Sequence, residues 1–420
     1  MSAHLWMLSF LLCVWLSACS EGRTAESEPG MTRDSAGVTI VENRTPAWTE
    51  ADAWRIADTP SLDMGAAAGD PDQEFYQIRG VTRLSDGTIV VANGGSSELR
   101  YYDADGTFRT RAGRKGGGPG EFTFLSGVRR LAGDSVLASD MMQRRASIFG
   151  PDGQHVRDFA LVEPGTINMR SLLGQLDDGT YIAQATNMHT GSELMDRPIG
   201  PYRDSSFVLH VDTSGKAVDT LGLFPGPRMT RRMMNLMGRK LPMPTPVAFS
   251  SAMHVAAAAD RVYIGVSDAY EIGVYSPAGR LERLIHRQYE PRLVTDADVE
   301  ATRARMLEAM ASANQNNPIA KQMAESYANM EAADTMPAYG RFLVDGDRNL
   351  WVADYPGPND SSAHWNVFDA TGRWLGTVTI PHELVIDEIG SDYVLGRTTD
   401  DAEVEHVLLY ELIKPSQSKE

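Results

Sequence analysis

A segment of the chain repeats itself after 47 residues. Residues 75–84 align without a gap with residues 122–131, and the match continues to Gly106 and Gly153, which are again 47 residues apart. Each copy contains short apolar stretches separated by turn sequences such as Asp103-Ala104-Asp105-Gly106. Glycine in these turns supplies the positive φ angle that tight hairpins require. The repeat therefore predicts an all-β chain built from similar four-stranded sheets.

The same unit recurs along the chain as an apolar residue followed four positions later by glycine. The five pairs are Tyr102/Gly106, Phe149/Gly153, Val211/Gly215, Tyr275/Gly279 and Phe368/Gly372. A sixth unit begins at Leu384 and has room for only three strands, so we expect residues 62–65 to supply the fourth. Closing a ring in this way removes exposed sheet edges. The sequence predicts a six-bladed β-propeller of four-stranded blades over residues 34–415, closed by the N-terminal strand.

Two motifs resemble those of a known family. Residues 113–122 (GRKGGGPGEF) resemble the blade-joining motif of NHL-type six-bladed β-propellers, and residues 350–354 (LWVAD) resemble their second strand. Residues 34–415 are similar to bacterial lipoproteins described only as six-bladed β-propellers. The resemblance implies the fold but no activity, because one fold carries many functions.

The N-terminus has the pattern of an export signal. Residues 1–18 contain no Lys, Arg, Asp or Glu, and the apolar run within them is too short to span a bilayer. They lead into Leu16-Ser17-Ala18-Cys19, which resembles the lipobox of bacterial lipoproteins. The resemblance implies a lipoprotein signal peptide over residues 1–18, acylation of Cys19 and, from Ser20, sorting to the outer membrane. The alternative is an ordinary secretory signal, but Cys19 would then be a lone thiol in an exported chain.

The residues that follow Cys19 have the composition of a linker. Residues 19–33 are polar with hardly any large apolar side chains, so we expect a flexible tether between the lipid and the folded domain.

The net charge of the chain limits its possible partners. The chain has 39 Lys and Arg against 56 Asp and Glu, a net charge of −17. Nucleic-acid binding depends mainly on basic contacts with phosphates, so no nucleic-acid partner is expected.

The long insertions all fall in one class of connection. In a four-stranded blade, the turns between strands two and three and the links between blades lie on one face. Those connections carry every long insertion, namely residues 187–204, 225–246, 293–337 and 355–364. We call the face that they form the long-loop face. Long loops gathered on a rigid scaffold favour a recognition surface, although surface loops also vary without selection for binding.

The largest insertion, between blades 4 and 5, has a helical pattern. Thr295 and Asp298 resemble a capping box, and Val299, Met306 and Met310 then form an apolar stripe. A second stripe follows Pro318, a residue that favours the first position of a helix. The pattern predicts a helical hairpin over residues 295–335. It either closes over a ligand or only packs on the blades.

A cationic segment lies within residues 225–246. It contains no acid and five cations, which are Arg228, Arg231, Arg232, Arg239 and Lys240. These residues are candidates for binding an anionic ligand or anionic lipid headgroups. The alternative is that they offset acidic loops nearby while the intervening methionines pack on the blades.

The sequence contains only weak indications of metal binding or catalysis. Four oxygen donors end second strands near the long-loop face, namely Asn93, Asp140, Asp268 and Asp354. Such a ring resembles the Ca²⁺ site of gluconolactonase-like propellers, but Asx side chains at strand ends also cap their own turns. No other cofactor is expected. The histidines have no metal-ligand spacing, and no Gly-x-Ser-x-Gly motif occurs.

These observations favour a non-enzymatic function. The leading hypothesis is a monomeric, lipid-anchored propeller that binds a protein, a polymer or a small anionic ligand through the long-loop face. The alternative is a metal-assisted hydrolase or lyase at the mouth of the central channel on the same face, because a folded ring could bring distant histidines together.

Overall fold

Strands dominate the structure. The computed structural model describes residues 31–65, 69–161, 167–187, 197–236, 239–312, 327 and 329–415. These residues form 28 strands and one α-helix, so the all-β class expected from the sequence is confirmed. None of the helical residues described forms a segment long and apolar enough to cross a membrane.

The first strands in chain order belong to the N-terminal segment and to three sheets. The N-terminal strands are β1 (Met31–Ser35), β2 (Val38–Asn43), β3 (Arg55–Ile56) and β4 (Leu62–Met64). Sheet 1 contains β5 (Ile78–Arg83), β6 (Ile89–Asn93), β7 (Glu98–Tyr102) and β8 (Phe108–Ala112). Sheet 2 contains β9 (Leu125–Arg130), β10 (Val136–Asp140), β11 (Arg145–Phe149) and β12 (His155–Ala160). Sheet 3 contains β13 (Ile167–Gln175), β14 (Tyr181–Asn187), β15 (Gly200–Val211), β16 (Ala217–Leu236) and β17 (Arg239–Pro246).

Three further sheets follow, with the helix between the first two. Sheet 4 contains β18 (Met253–Ala258), β19 (Arg261–Val266), β20 (Glu271–Tyr275) and β21 (Leu281–Arg287), and α1 is Asp296–Ser312. Sheet 5 contains β22 (Phe342–Val344), β23 (Leu350–Ala353), β24 (Ser362–Phe368) and β25 (Trp374–Pro381). Sheet 6 contains β26 (Val385–Ile389), β27 (Tyr393–Thr399) and β28 (Glu405–Ile413). Within each sheet, consecutive strands pair in chain order.

The N-terminal segment pairs with three sheets in turn. β1 pairs with β2, and β2 runs parallel to β21, so the hairpin extends sheet 4. The Trp48 amide then donates to the Leu375 carbonyl of β25 at 2.7 Å. β4 pairs with β28, placing Leu62 opposite Leu409 and Met64 opposite Val407, and β3 pairs further along β28. The strand expected from residues 62–65 therefore pairs with the last strand of the chain.

The hydrophobic core consists of separate clusters, each lying where two sheets pack against each other. In the described part of the chain, six clusters of buried apolar side chains each combine residues of two sheets: 1 with 2, 2 with 3, 3 with 4, 4 with 5, 5 with 6, and 6 with 1. Met64 of β4 is 2% exposed within the cluster between sheets 6 and 1. Burial of apolar area between the sheets is the main force holding them together.

The short turns expected from the sequence are present. Gly106 has a φ of 85° in the turn between β7 and β8, and its amide donates to the Asp103 carbonyl at 2.9 Å. A residue with a Cβ would be strained at that φ. Gly153 and Gly372 occupy the equivalent turns at φ angles of 81° and 83°.

The segment 225–246 is a β-ribbon, which corrects the expectation of a loop. β16 runs to Leu236 and pairs with β17 from Met229 opposite Pro246 to Leu236 opposite Arg239. The prolines of β17 lie at alternate positions 242, 244 and 246, all on the same side of the strand. β17 is the edge of sheet 3, so their missing N–H groups fall on one side of an edge strand, where proline is tolerated.

The remaining expectations fall partly outside the described residues. β1 begins at Met31, so residues 31–33, assigned to the tether from composition, belong to a strand. The signal peptide and the rest of the tether lie outside the described residues. α1 is the first helix of the expected hairpin, and most of the second lies outside them too. The capping box is confirmed, because Asp298 accepts from the Thr295 amide at 3.0 Å and its own amide donates to the Thr295 hydroxyl at 3.2 Å.

Candidate functional site

A groove lies among the long insertions. It has a volume of about 1060 Å³ and is lined by α1, by the loop 355–364 and by the start of β26. Two histidines, His364 and His382, and the exposed side chain of Val385 contribute to its wall. The volume is slightly larger than is typical of small-molecule sites.

Two insertions are joined to each other in the wall of the groove. Arg292, just before α1, forms an ion pair with Asp360 of the loop 355–364 at 3.2 Å. Arg305 of α1 donates to the Pro358 carbonyl of the same loop at 2.6 Å. Asp360 also accepts from the Gly357 amide at 2.6 Å, which fixes the loop around the ion pair. These contacts hold the helix and the loop as one wall.

A third insertion joins the same surface. Glu331, at the end of the helical insertion, accepts from Arg232 of β16 at 2.6 Å and from the Thr230 hydroxyl. Hydrogen bonds from Thr230 and Arg232 lower the pKa of the Glu331 carboxyl. Backbone bonds between Ala248 and both Glu331 and Ala333 add to this attachment. The ribbon of sheet 3, the helical insertion and the loop 355–364 therefore form a continuous long-loop face.

The inner wall of the groove contains a partly buried carboxyl group. Burial raises the pKa of Asp354, while the Asn366 side-chain amide donates to it at 2.7 Å. The Arg287 guanidinium lies 3.9 Å from Asp354 and stacks over the ring of Trp374 at 4.1 Å. An arginine fixed between an aromatic ring and a carboxyl group is restricted in orientation, which suits a binding wall better than a mobile surface charge.

The five cations of the ribbon do not share one face. Arg231 is 1% exposed and donates to the Arg197 carbonyl at 2.9 Å, whereas Arg228 and Lys240 are exposed. Arg232 follows Arg231 on the strand and points to the other side, where it pairs with Glu331. The side chain of Arg239 lies outside the described residues.

Arg228 lies near one of the acidic candidates. Burial alone would raise the pKa of Asp268, but the Ser251 hydroxyl and the Arg203 and Arg228 guanidinium groups outweigh it and lower that pKa. Arg228 and Arg232 thus each lie close to an acidic side chain, the arrangement expected if these cations offset acidic loops.

The four oxygen donors considered for Ca²⁺ each have local partners. Asn93 accepts from the Tyr76 amide at 2.9 Å, and Asp140 accepts from the Thr123 and Phe124 amides at 2.6 and 3.0 Å. Asp268 pairs with Arg203 at 2.9 Å, and Asp354 with Asn366. Within the described ranges, no group of three or more His, Cys, Asp or Glu side chains is placed to hold a metal ion.

A second cavity lies along the first strands of all six sheets. It has a volume of about 740 Å³ and includes residues of β5, β9, β13, β18, β22 and β26. His254 of β18 lines it, packed against the rings of Tyr339 and Phe342 with 5.7 Å between centroids. Burial lowers the pKa of His254 to about 4, so the imidazole is neutral at physiological pH.

The other described histidines lie elsewhere. His155 contacts Asp158, His210 contacts Thr180, His286 contacts Glu271 and His406 contacts Asp63, each at 2.7 to 2.8 Å. His364 and His382 line the groove rather than the cavity, and His189 lies outside the described residues. The described histidines therefore do not meet at one point.

Sequence patterns did not single out Arg129 and Arg341, which line the cavity, or the contacts that line the groove. Arg129 aligns with Thr82 in the 47-residue repeat, and both residues line the cavity. The sequence feature that could have identified Arg129 is its charge, since it lies within the first strand of a repeat unit. Contacts such as Arg292 with Asp360 join segments of different connections and leave no local pattern.

No family model matches the sequence. No curated protein matches it. The chain is similar to a structure of a Bacteroides fragilis protein named as exported, at 14% identity and a TM-score of 0.47, covering 89% of this chain and 99% of that chain.

Two further solved structures are similar over most of the chain. A member of the DUF4221 family from Bacteroides vulgatus has 10% identity and a TM-score of 0.48, with 87% of this chain and 100% of that chain covered. A gluconolactonase from Xanthomonas campestris has 14% identity and a TM-score of 0.38, with 88% and 99% covered. At these values the similarities assign neither a family nor an activity to this chain.

Proposed function

We propose that this protein is a lipid-anchored binding module of the cell envelope, attached to the outer membrane, and that it captures its partner through the long-loop face. The observation that carries the proposal is the joining of two insertions in the wall of the groove, by Arg292 with Asp360 and Arg305 with Pro358, and the attachment of a third insertion to the same surface, by Arg232 with Glu331. These contacts hold segments that are distant in sequence in one arrangement, as a binding surface requires. A rigid scaffold with a wall of joined loops is the usual construction of a recognition site.

The scaffold in this proposal is a six-bladed β-propeller. Support comes from the contacts between first strands, which join β5 to β9, then run in order from β13 through β18 and β22 to β26, and return from β26 to β5. Between sheets 2 and 3 the Arg129 side chain donates to the Leu172 carbonyl at 3.2 Å. In this arrangement β4 and β3 complete the sixth blade and close the ring. The anchor is the acylated Cys19, supported by its lipobox sequence.

The groove rather than the cationic ribbon is the proposed centre of binding. Val385 is 44% exposed in the wall of the groove, so an apolar contact is available to a partner there. The exposed cations Arg228 and Lys240 would lie at the rim, where charges affect the rate of association more than affinity.

A matched pair of substitutions tests this proposal. Val385→Glu places a charge in the groove, and Val156→Glu places the same charge on β12, where Val156 is 62% exposed. We expect Val385→Glu to reduce capture of the partner from envelope extract by about tenfold or more, because central interface positions dominate binding. Val156→Glu should capture as the parent does, and both variants should melt within a few degrees of it. Equal capture by the two variants would remove the groove from the proposal.

A further inference from the structure

The central cavity has donors without partners. Arg129 of β9 and Arg341, immediately before β22, both line it and come from sheets 2 and 5. Arg129 uses only its Nε, which donates to the Leu172 carbonyl at 3.2 Å. Arg341 uses only one terminal nitrogen, which donates to the Ile386 carbonyl at 2.6 Å. The remaining guanidinium N–H groups donate to no other described residue.

The two arginines lie in the wall of the same cavity. Both side chains are exposed, and the surrounding protein still lowers the pKa of each by desolvation. After desolvation, the charge of Arg341 is the next contribution that lowers the pKa of Arg129. Two partly desolvated like charges are unfavourable, and an anion between them relieves both the repulsion and the unused donors.

The acidic groups next to these arginines are mostly engaged. Asp387 accepts from Arg397 at 3.0 Å, burial raises its pKa, and the charges of Arg341 and Arg129 also act on it, so three guanidinium groups surround this one carboxyl group. Glu388 accepts from the Arg83 amide at 3.2 Å and from the Thr82 and Tyr393 hydroxyls. The N–H groups that Arg129 and Arg341 leave unused are therefore available as donors, and donors select an acceptor.

The volume, lining and charge of the cavity limit the kind of acceptor that can bind there. Its volume of about 740 Å³ is that of a small-molecule site. Half-buried apolar side chains line the wall beside the arginines, among them Leu173, Val255 and Leu343. The nearby carboxylates would repel a dianion about twice as strongly as a monoanion. We infer that the central cavity binds a small organic monocarboxylate, with its carboxylate between Arg129 and Arg341 and its apolar part against the first strands.

This site is separate from the proposed recognition groove. The cavity includes the short turns between first and second strands, such as residues 133–134 and 345–346, whereas the groove is formed by the long insertions. Arg341 lies at the boundary, since it lines both. Binding in the cavity therefore can be measured without knowing the partner of the long-loop face.

Calorimetric titration of the full chain in non-ionic detergent tests the inference. The probes are hexanoate and benzoate, with hexylammonium and inorganic phosphate for comparison. We expect saturable binding of at least one of the two carboxylates, no binding of hexylammonium, and weaker binding of phosphate. Arg129→Gln and Arg341→Gln should each weaken carboxylate binding by about tenfold to a hundredfold, the usual range for a charged hydrogen-bond donor.

Matched variants separate binding from folding. Arg280→Gln is the control, because Arg280 is 78% exposed on the turn before β21 and should leave affinity unchanged. Arg129→Lys and Arg341→Lys keep the charge and should retain more affinity than the Gln variants, with melting temperature measured for all. If Arg341→Gln does not fold, Arg129→Gln decides alone. Absence of carboxylate binding, equal affinity of Arg129→Gln and the parent, or tighter binding of phosphate than of either carboxylate would each overturn the inference.

Discussion

Removal of residues 1–67 is expected to give an aggregating protein, whereas removal of residues 1–30 should give a soluble one. The deletion takes away β2, β3 and β4, and with them the partners of β21 and β28. It also removes Met64, which is 2% exposed in the core between sheets 6 and 1. Open sheet edges beside an incomplete core favour edge-to-edge association. Soluble yield and size-exclusion chromatography measure the effect.

The matched control is removal of residues 1–30, which ends before β1 and should leave a soluble, cooperatively melting domain. Two neighbouring substitutions in the full chain refine the comparison. Met64→Asp should destabilise by several kcal/mol, about the cost of losing a buried methionine plus burying a charge. Asp63→Asn should be nearly neutral, because Asp63 is 46% exposed. Equal solubility of the two deletions would contradict closure by the N-terminal segment.

Replacement of Cys19 by Ala is expected to release the protein from membranes. In a lipoprotein the acyl chains on this residue provide the membrane affinity. Nearly all of the parent protein should sediment with membranes after a high-salt wash, and nearly none of the Cys19→Ala protein should.

Cys13 provides the control for this experiment. It lies within the predicted signal peptide, so Cys13→Ala should leave membrane association unchanged. The released Cys19→Ala domain should melt as the parent does, since Cys19 precedes every described strand. A Cys19→Ala protein that still sediments after the salt wash would refute lipid anchoring through this residue.

The repeat contained enough information to predict the strands but not all of their partners. Turn glycines at fixed spacing marked the hairpins, and the comparison of residues 62–65 with a later unit predicted the pairing with β28. The pairing of β2 with β21 was not predicted. It joins Ile40 to Leu284 across most of the chain, and a six-residue strand outside any repeat carries no signal of its partner.

The ribbon of β16 and β17 was missed for a different reason. Its five prolines suggest a loop when they are counted, but three of them occupy alternate positions on an edge strand. Proline there removes no bond to β16. Only the register, which depends on folding of the whole sheet, distinguishes the two cases.

The site depends on contacts that sequence does not encode locally. Arg232 with Glu331 spans 99 residues, and Arg292 with Asp360 spans 68. Each partner is an ordinary surface residue in its own segment. Their meeting follows from the path of the insertions over the sheets, which composition and spacing do not specify.

Site-specific photo-cross-linking in cells tests the recognition face most directly. A benzophenone amino acid placed at Val385 or Asn359 would lie in the groove, and one placed at Val156 would lie on β12 away from it. We predict that Val385 and Asn359 cross-link to a discrete envelope component and that Val156 does not. Cross-linking from Val156 alone, or no cross-link from either groove position, would contradict binding through the long-loop face.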